Sequence, residues 1–491
     1  MRRQLHLKVL TPVAALAATL TLAPYVFAEP FNSDGAPGET LNGGQFMNSG
    51  SIGGQAGSDG MTGHHGQNGP SGSYGADGAS GFVTSPPSDP SVVNGGNGAA
   101  GGNGLLGDTG GPGGTGGAGI SGASVIIENP QAGTIAGGVG GNGGAGGQGG
   151  YGGPGGYGGN AGFLEISDGE NFGWLYGNAG NGGDGGNGGA GGNGGNGGHG
   201  GAGISGTNLG ITNYGLITGG NGGIGGAGGE PGPGGEGGMG GYNGMGVGGI
   251  GMDGAPGQMG AVSGTAGLDG NGGPGIALTG GSDNVVTNMP GGRILGGAGG
   301  GTTGTGGDGI LVSGGTAIIV NGGIIAGGLS GAQGGASYGI RVTGGTVALL
   351  VNAQGGNTPL TYHGALPQNY QVIVQSPDNF GRLAVTSPSG RMAFGIADGS
   401  SPVIGTTYED VLEGVGAEFL ESVTGASVGV GWTLLDPEND GIWDLLVRAL
   451  GPDAANTLLG LQANSDAVRS VLSQRAAMAS FALDNDCSVF D

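Results

Sequence analysis

Residues 203–220 read GISGTNLGITNYGLITGG, and this stretch decides the fold. It holds three short apolar segments, around Ile204, Ile211 and Ile217, which are separated by turns rich in glycine and asparagine. Short β-branched runs divided by glycine are typical of strands. Three strands in about twenty residues predict one turn of a β-solenoid, a fold in which each strand pairs with its equivalent in the next turn.

The same pattern occurs five times along the chain. The repeats begin at Gly119, Gly203, Gly275, Gly309 and Gly339, with steps of 84, 72, 34 and 30 residues between them. One turn cannot bury its inward face alone, so the repeats are expected to stack. We therefore predict an all-β fold, a right-handed parallel β-solenoid with long Gly-Gly-X insertions, a β-rich cap and a C-terminal helix.

Each repeat also carries an asparagine at the turn after its second strand. These residues are Asn129, Asn213, Asn288, Asn321 and Asn352. Stacked amides can bond to one another along a column of parallel strands. We predict that the five asparagines form a structural ladder, and ligand binding by them is the alternative.

Glycine contributes 141 of the 491 residues, and 127 of these lie between residues 29 and 360. Residues 138–161 and 179–203 repeat the triplet Gly-Gly-X. Collagen is excluded, because its glycine recurs singly and its proline content is far higher. Two interpretations of the tracts remain: disordered loops, or extended left-handed helices with three residues per turn that pack side by side.

The formal net charge is −24, and no lysine follows Lys8. A chain this acidic repels nucleic acid and anionic lipid, so no nucleic-acid partner is expected. Basic residues at Arg2, Arg3 and Lys8, an apolar run and Val26-Phe27-Ala28 predict a secretory signal peptide over residues 1–28. A membrane anchor is the alternative interpretation of that segment. The protein is therefore expected to be exported.

A few residues could carry chemistry. His64 and His65 with Asp59 could hold a metal, and Glu165 with Asp168 or Asp440 with Asp444 could form a carboxylate pair, although solvated surface positions explain all of them. Only Asp308 supplies an acid before a Gly-Ile pair, so a calcium-binding repeat is not supported. Cys487 is the single cysteine, which excludes disulfide stapling. We predict no catalytic, cofactor or metal site, and no enzyme.

The composition divides the chain into five parts. We predict a signal peptide (1–28), a glycine-rich N-terminal region (29–118), solenoid turns with glycine-rich insertions (119–356), a β-rich cap (357–447) and a helical linker (448–491). The helical pattern rests on apolar spacing between Asp453 and Leu483, where glycine is nearly absent.

The cap resembles the end of a bacterial autotransporter (type V secretion) passenger domain. The residues that carry the resemblance are 394–400 (FGIADGS), 408–414 (YEDVLEG) and a predicted hairpin that contains Trp432 and Trp443. The resemblance implies a β-rich cap before a membrane anchor and a helix that threads the anchor's pore. The chain ends at Asp491, near where such an anchor would begin, so we expect a truncated chain, a separate translocator or retention in the periplasm.

These observations favour an exported, non-enzymatic surface protein in which a solenoid stalk serves display, adhesion or surface structure. Its expected partners are host or cell-surface ligands, the export machinery and an outer-membrane β-barrel translocator. The expected location is the cell surface, outer membrane or extracellular space, or the periplasm without a translocator. The alternatives are a structural glycine-rich matrix protein and a polysaccharide-active β-helix enzyme, and for the latter the repeats show no recurring column of acids.

Overall fold

The computed structural model describes residues 26–27, 39–48, 50–77, 81–83, 94–167, 172–243 and 249–450. This part of the chain is all-β, with a large and mostly parallel sheet, and its one helical segment is the 3₁₀ turn Ala417–Phe419. The architecture is compatible with the solenoid that the repeats predict. The signal peptide up to residue 25, the helical linker from residue 451 and Cys487 lie outside the described residues.

The large sheet contains two columns of parallel strands, each strand lying in register on its neighbours. The first column consists of the first half of Glu39–Met47, the first half of Ile120–Asn129, Ile204–Thr207, Ile276–Gly280, Ile310–Gly314, Ile340–Val342, Leu360–Ala365, Leu383–Ser389 and Thr407–Glu413. The second column consists of the second halves of Glu39–Met47 and Ile120–Asn129, then Gly210–Asn213, Asn284–Asn288, Thr316–Asn321, Thr346–Asn352, Asn369–Val372 and Ala393–Ile396. Val26–Phe27 also pairs in parallel with the end of Glu39–Met47.

A separate five-stranded parallel sheet forms the third column. Its strands are Ser51–Gly53, Thr134–Ala136, Leu216–Thr218, Arg293–Leu295 and Ile324–Ala326. Each predicted repeat from 119 to 328 thus supplies one strand to every column, and the fifth, from Gly339, supplies one to each of the first two.

Matching apolar residues stack along each column and form the core. In the third column Ile135, Ile217 and Ile294 pair in register, and all three are fully buried. Ile204 and Ile211 do the same in the first and second columns. Burial of each such side chain contributes about 2 kcal/mol, and a one-residue slip would turn the whole set outward.

The parallel pairing extends beyond both ends of the predicted solenoid region 119–356. Upstream, Phe46 and Ile52 occupy the positions held by isoleucine in later repeats. Sequence comparison misses this repeat because Gly43 and Gly44 interrupt its apolar pattern. Downstream, parallel pairing continues until Leu383 meets Leu412, since aromatic and leucine side chains there replace isoleucine in the core.

Within the large sheet, antiparallel pairing occurs only at the C-terminal end of the described chain. Val430–Leu435 pairs with Ile442–Arg448, which is the predicted hairpin, and Trp432 and Trp443 are buried in it. A short hairpin joins Val374–Ser376 to Asn379–Phe380, and the longer strands on either side of it belong to the parallel columns. A separate three-stranded sheet holds Gly81–Val83, Phe163–Ser167 and Phe172–Tyr176. In the large sheet, Thr424–Ser427 pairs antiparallel with Val430–Leu435.

The glycine tracts leave the columns after a third-column strand and return before a first-column strand. We number the six long ones tract 1 (54–77), tract 2 (94–118), tract 3 (137–160), tract 4 (178–202), tract 5 (219–242) and tract 6 (249–274). Outgoing tracts 1, 3 and 5 run parallel in one layer, where Gly57 N–H donates to Val139 O (2.8 Å). Returning tracts 2, 4 and 6 form a second layer, antiparallel to the first. We call this two-layered array the slab.

In a fully bonded interior triplet, the three backbone N–H groups donate in three different directions. In triplet 140–142 of tract 3, the first N–H donates to Asn221 O in the same layer and the second to Gly114 O in the other layer, both at 2.8 Å. The third N–H donates to Asp59 Oδ1 (2.7 Å) on the outer face. Three directions for three residues match a helix with three residues per turn. Backbone bonds therefore hold the tracts as ordered structure.

The number of glycines in a triplet follows the number of neighbouring tracts. In interior tract 4, a Cβ on Gly186 would overlap Gly102 O. At the edge, tract 1 needs one glycine per triplet, as in Gly57-Ser58-Asp59. The second position of tract 2 is intermediate, since a Cβ on Gly111 would lie 3.0 Å from its nearest atom. Equivalent positions in tract 2 are occupied by Ala99, Leu105 and Asp108.

Candidate functional site on the outer face of the slab

The five predicted ladder asparagines lie in one buried column, at the turn after the second-column strands. Successive Nδ2 to Oδ1 hydrogen bonds of 2.7–3.0 Å join Asn129, Asn213, Asn288, Asn321 and Asn352. Asn48, which sequence comparison missed, extends the column by donating to Asn129 Oδ1 (2.8 Å). In the sequence, the only feature that could have indicated Asn48 is its position after Phe46 in the interrupted repeat. The amides are occupied by one another and by backbone groups, so this column presents no ligand site.

Two of the three histidines in the tracts accept backbone hydrogen bonds, one in each layer of the slab. His65 Nδ1 accepts from Gln148 N–H (3.1 Å), and His199 Nδ1 accepts from Asn271 N–H (2.8 Å). These are the roles that asparagine and aspartate fill at equivalent outward positions. His64 lies at the second position of its triplet. Among the described residues, no group of three or more His, Cys, Asp or Glu side chains converges as a metal site would require.

In the possible carboxylate pair Asp440 and Asp444, each side chain accepts a hydrogen bond from a different backbone N–H. Asp444 Oδ1 accepts from Asp410 N–H (2.9 Å), and Asp440 Oδ1 accepts from Ile442 N–H (3.0 Å). Glu165 lies on the strand Phe163–Ser167, and its suggested partner Asp168 is outside the described residues.

Asp308, the single acid of the calcium pattern, forms an ion pair with Arg341 Nε at 2.8 Å. The Arg341 guanidinium also lies over the ring of Tyr338, 4.8 Å from its centre. The Asp308 carboxylate is therefore paired with an arginine of the next repeat.

Asp269, in tract 6, accepts several hydrogen bonds at the C-terminal edge of the slab. Its carboxylate accepts from Gly225 N–H (2.9 Å), Thr302 N–H (2.8 Å), and both the N–H and the hydroxyl of Thr303 (2.9 Å each). Desolvation raises the pKa of Asp269, but the hydrogen bonds from Thr303, Gly225 and Thr302 together hold that pKa below its usual range. Asp253 likewise accepts from Gly240 N–H (2.8 Å). These two carboxylates serve N–H groups of tract 5 that face a missing neighbour.

The outer face of tracts 1, 3 and 5 carries a group of large side chains near the far end of the slab. Tyr74, Tyr157 and Met239 align there, because Gly75 N–H donates to Tyr157 O and Gly158 N–H donates to Met239 O. The rings of Tyr74 and Tyr157 are 5.1 Å apart and tilted by 38°. Tyr74 is 72% exposed, Met239 58% and Tyr157 46%. Adjacent exposed apolar side chains of this size form a candidate interaction surface.

A groove of about 450 Å³ lies among these side chains, and we call it the tyrosine groove. Its floor is glycine backbone from all three outgoing tracts, and its walls include Tyr242 with the residues above. Asp77 and Asn160 are its polar lining. Asp77 Oδ1 accepts from Asn160 N–H (2.7 Å) and Asn160 Oδ1 accepts from Tyr242 N–H (2.9 Å), so both side chains are held in place.

The small sheet at the tract ends adds a second aromatic surface. Phe163, Trp174 and Tyr176 lie on one face, with ring centres 6.2 and 6.4 Å apart along the series. Phe172 on the same face is 73% exposed. The far end of the slab is thus aromatic on its outer layer and on its terminal sheet.

Another groove, of about 580 Å³, lies between the end of the second column and the antiparallel strands. Its lining includes Asp398, Glu421 and the pair Phe394 and Trp432, which meet edge to face at 5.1 Å. Both aromatic rings are buried. They pack as part of the core, and this groove has no exposed aromatic wall.

Sequence reasoning missed the tyrosine groove because its walls are far apart in the chain. Tyr74, Tyr157 and Tyr242 stand in three different tracts, and only the triplet register brings them to one place. The recurrence of tyrosine near the end of each outgoing tract is the signal that could have indicated it.

No family model matches this chain, and no curated protein or solved structure is similar to it. Within the described residues, no helix has the length and apolar character needed to cross a membrane.

Proposed function

We propose that the chain is an exported, non-enzymatic surface protein in which a right-handed parallel β-solenoid displays the slab and its aromatic far end for adhesion. The observation that carries this proposal is the cluster of exposed aromatic side chains at the far end of tracts that are hydrogen-bonded along their length. A rigid support presents such residues without the entropy loss that ordering a flexible loop would add on binding.

The solenoid proposal is supported by the three columns, because successive repeats contribute strands to them in the same chain order. Connections between parallel strands of one sheet are right-handed in almost all proteins. The right-handed winding follows from that preference.

The reach of the slab suits display. Each long tract has about 24 residues, and a helix of this kind rises about 3.1 Å per residue, so the aromatic end lies about 70 Å from the columns. The acidic outer surface keeps this extension soluble.

The export proposal rests on the resemblance to autotransporter passengers, carried by residues 394–400, 408–414 and the Trp432 and Trp443 hairpin. An outer-membrane translocator and the export machinery are the corresponding proposed partners. The N-terminus of the protein recovered from the cell exterior tests the export step. Glu29 is the expected first residue after signal cleavage, and an intact Met1 on exported protein would contradict the signal-peptide assignment.

The enzyme alternative lacks support in the columns. Glu128 is the one acid at its outward level of the second column, where its in-register neighbours are Thr212, Thr287 and Val320. A catalytic face would need acids that converge on one site.

Binding of labelled mature chain (29–491) to intact host cells and to bacterial surfaces tests the adhesion proposal. Gly186→Val should abolish binding by disrupting the slab, while Gly111→Ala, at a tolerant position, should bind like the native protein. Equal binding by native protein and Gly186→Val, or no binding by the native protein to any surface, would overturn the proposal. Circular dichroism checks that the parallel columns persist in both variants.

A further inference from the structure

We infer that the tyrosine groove is a binding site for a neutral glycan chain. This inference rests on the proposed adhesive function and names the chemistry of its ligand. It starts from four wall residues, Tyr74, Tyr157, Met239 and Tyr242, and two polar residues, Asp77 and Asn160.

The size of the groove fits an oligosaccharide. Its volume of about 450 Å³ falls in the range of small-ligand sites, which is roughly 300–1,000 Å³. A stable protein partner needs about 800 Å² on each side, which is more than six side chains supply.

The surface chemistry fits a pyranose ring. Tyr74 and Tyr157 present flat apolar faces for its C–H groups and exposed hydroxyls for its O–H groups. The glycine floor has no side chains, so a ring can approach the backbone closely. Asp77 and Asn160 each use one side-chain oxygen for the fold. The second carboxylate oxygen of Asp77 and the amide nitrogen of Asn160 can then accept from and donate to sugar hydroxyls.

Charge selects a neutral glycan over an anionic one. The sequence has no lysine or arginine between Lys8 and Arg293, so no cation is available on tracts 1 to 6. Asp77 lines the groove, and Glu236 occupies an outward position of the same layer. These carboxylates repel sulfate and uronate groups.

Ring geometry argues against a quaternary ammonium ligand. A cation is held when several aromatic faces surround it. The ring centres of Tyr74 and Tyr157 instead lie 5.1 Å apart, and the two rings are tilted by 38° to each other. Two rings this close leave no room for a cation between them, whereas Tyr74, which is 72% exposed, remains open to a sugar ring.

Native affinity electrophoresis of mature chain tests this site, with gels that contain mannan, laminarin, dextran, galactan, polygalacturonate or heparin at equal concentration. We expect at least one neutral polysaccharide to retard the protein, and Tyr157→Ala and Tyr74→Ala to weaken retardation about tenfold. Tyr151→Ala is the matched control, because Tyr151 occupies an outward position of tract 3 outside the groove and should leave retardation unchanged.

Several outcomes would overturn the inference. These are no retardation by any neutral polysaccharide, retardation by the anionic ones alone, displacement by choline, or equal weakening in Tyr151→Ala. If Tyr157→Ala still binds cells and no neutral polysaccharide retards the native protein, the glycan site is excluded and the proposed adhesion stands. Retardation of the native protein by a neutral polysaccharide without binding of that protein to any cell surface would remove the proposed adhesion and leave the glycan site standing.

Discussion

Asn213 shows how one buried side chain connects several repeats. Its Oδ1 accepts from Asn129 Nδ2 (2.7 Å), and its Nδ2 donates to Asn288 Oδ1 (2.9 Å). Gly215 N–H also donates to Asn213 Oδ1. Buried amides are stable only when such partners are present, so the column fixes which turn of one repeat lies on which turn of the next.

Asn213→Ala should lower the free energy of unfolding by about 2–4 kcal/mol. The change leaves neighbouring amides with unmet hydrogen bonds and opens a cavity. Urea unfolding measures the loss. Tyr214→Ala, at an exposed neighbouring position, is the control and should stay within about 0.5 kcal/mol of the native protein. Equal stability of the two variants would mean that the column does not support the fold.

Asp269 should make stability depend on acid pH. Its folded pKa is lowered below the unfolded value, which is about 3.9. The stabilisation is therefore fully present above the unfolded pKa and is lost as pH falls through the folded pKa.

Thermal unfolding of native protein and Asp269→Asn across pH 7 to pH 2 checks this dependence. The native protein should melt at the higher temperature near neutral pH, and the difference should shrink as Asp269 becomes protonated. A difference that is constant across this range would contradict the assignment, because the charge would then contribute nothing.

The triplet is the element that sets glycine content. Interior tracts need two glycines because neighbours lie against both positions, whereas tracts 1 and 6, the first and last of the series, mostly need one. An irregularity supports the same rule: Pro231 replaces a first-position glycine in tract 5, and tract 6 inserts one extra residue between Gly260 and Gly264 opposite it. Packing of backbone on backbone therefore explains both the rule and its exceptions.

Gly186→Ala should destabilise the slab by about 3 kcal/mol, because its Cβ would overlap Gly102 O. Gly111→Ala should change stability by less than about 1 kcal/mol, because its Cβ would lie 3.0 Å from Met61 N, a tight contact that a small shift relieves, and Ala99 already occupies an equivalent position. Hydrogen exchange of the tract amides and urea unfolding measure both. Similar losses in the two variants would show that neighbouring tracts do not set the requirement for glycine.

At the scale of the whole molecule, charge protects an exposed edge. Gly228, Gly234 and Gly237 of tract 5 donate to no acceptor within the described part of the chain. Unpaired backbone groups at an edge invite association with another copy. The net charge of −24 opposes that association at neutral pH.

Lowering the pH towards 4 should therefore promote self-association. Light scattering at pH 7 and pH 4 checks this expectation at a fixed protein concentration. High salt at pH 7 should increase the scattering less than pH 4 does, because salt screens the charge without removing it. Unchanged scattering at pH 4 would mean that charge does not protect the edge.

The sequence by itself determined the strand repeats, the asparagine positions and the presence of a three-residue period. These are local patterns. Isoleucine and asparagine recur at the positions equivalent to Ile217 and Asn213 because each repeat must bury the same inward face. The all-β fold followed from that periodicity alone.

Only the tertiary structure decided which interpretation of the glycine tracts holds and where the aromatic side chains meet. Each tract bonds to others about 82 residues away, as Asn142 does to Ile224, and no local pattern encodes which tract is the neighbour. Tyr74, Tyr157 and Tyr242 form a groove only because the columns set the register of the tracts that carry them. Register is a property of stacked repeats, so it cannot be read from any one of them.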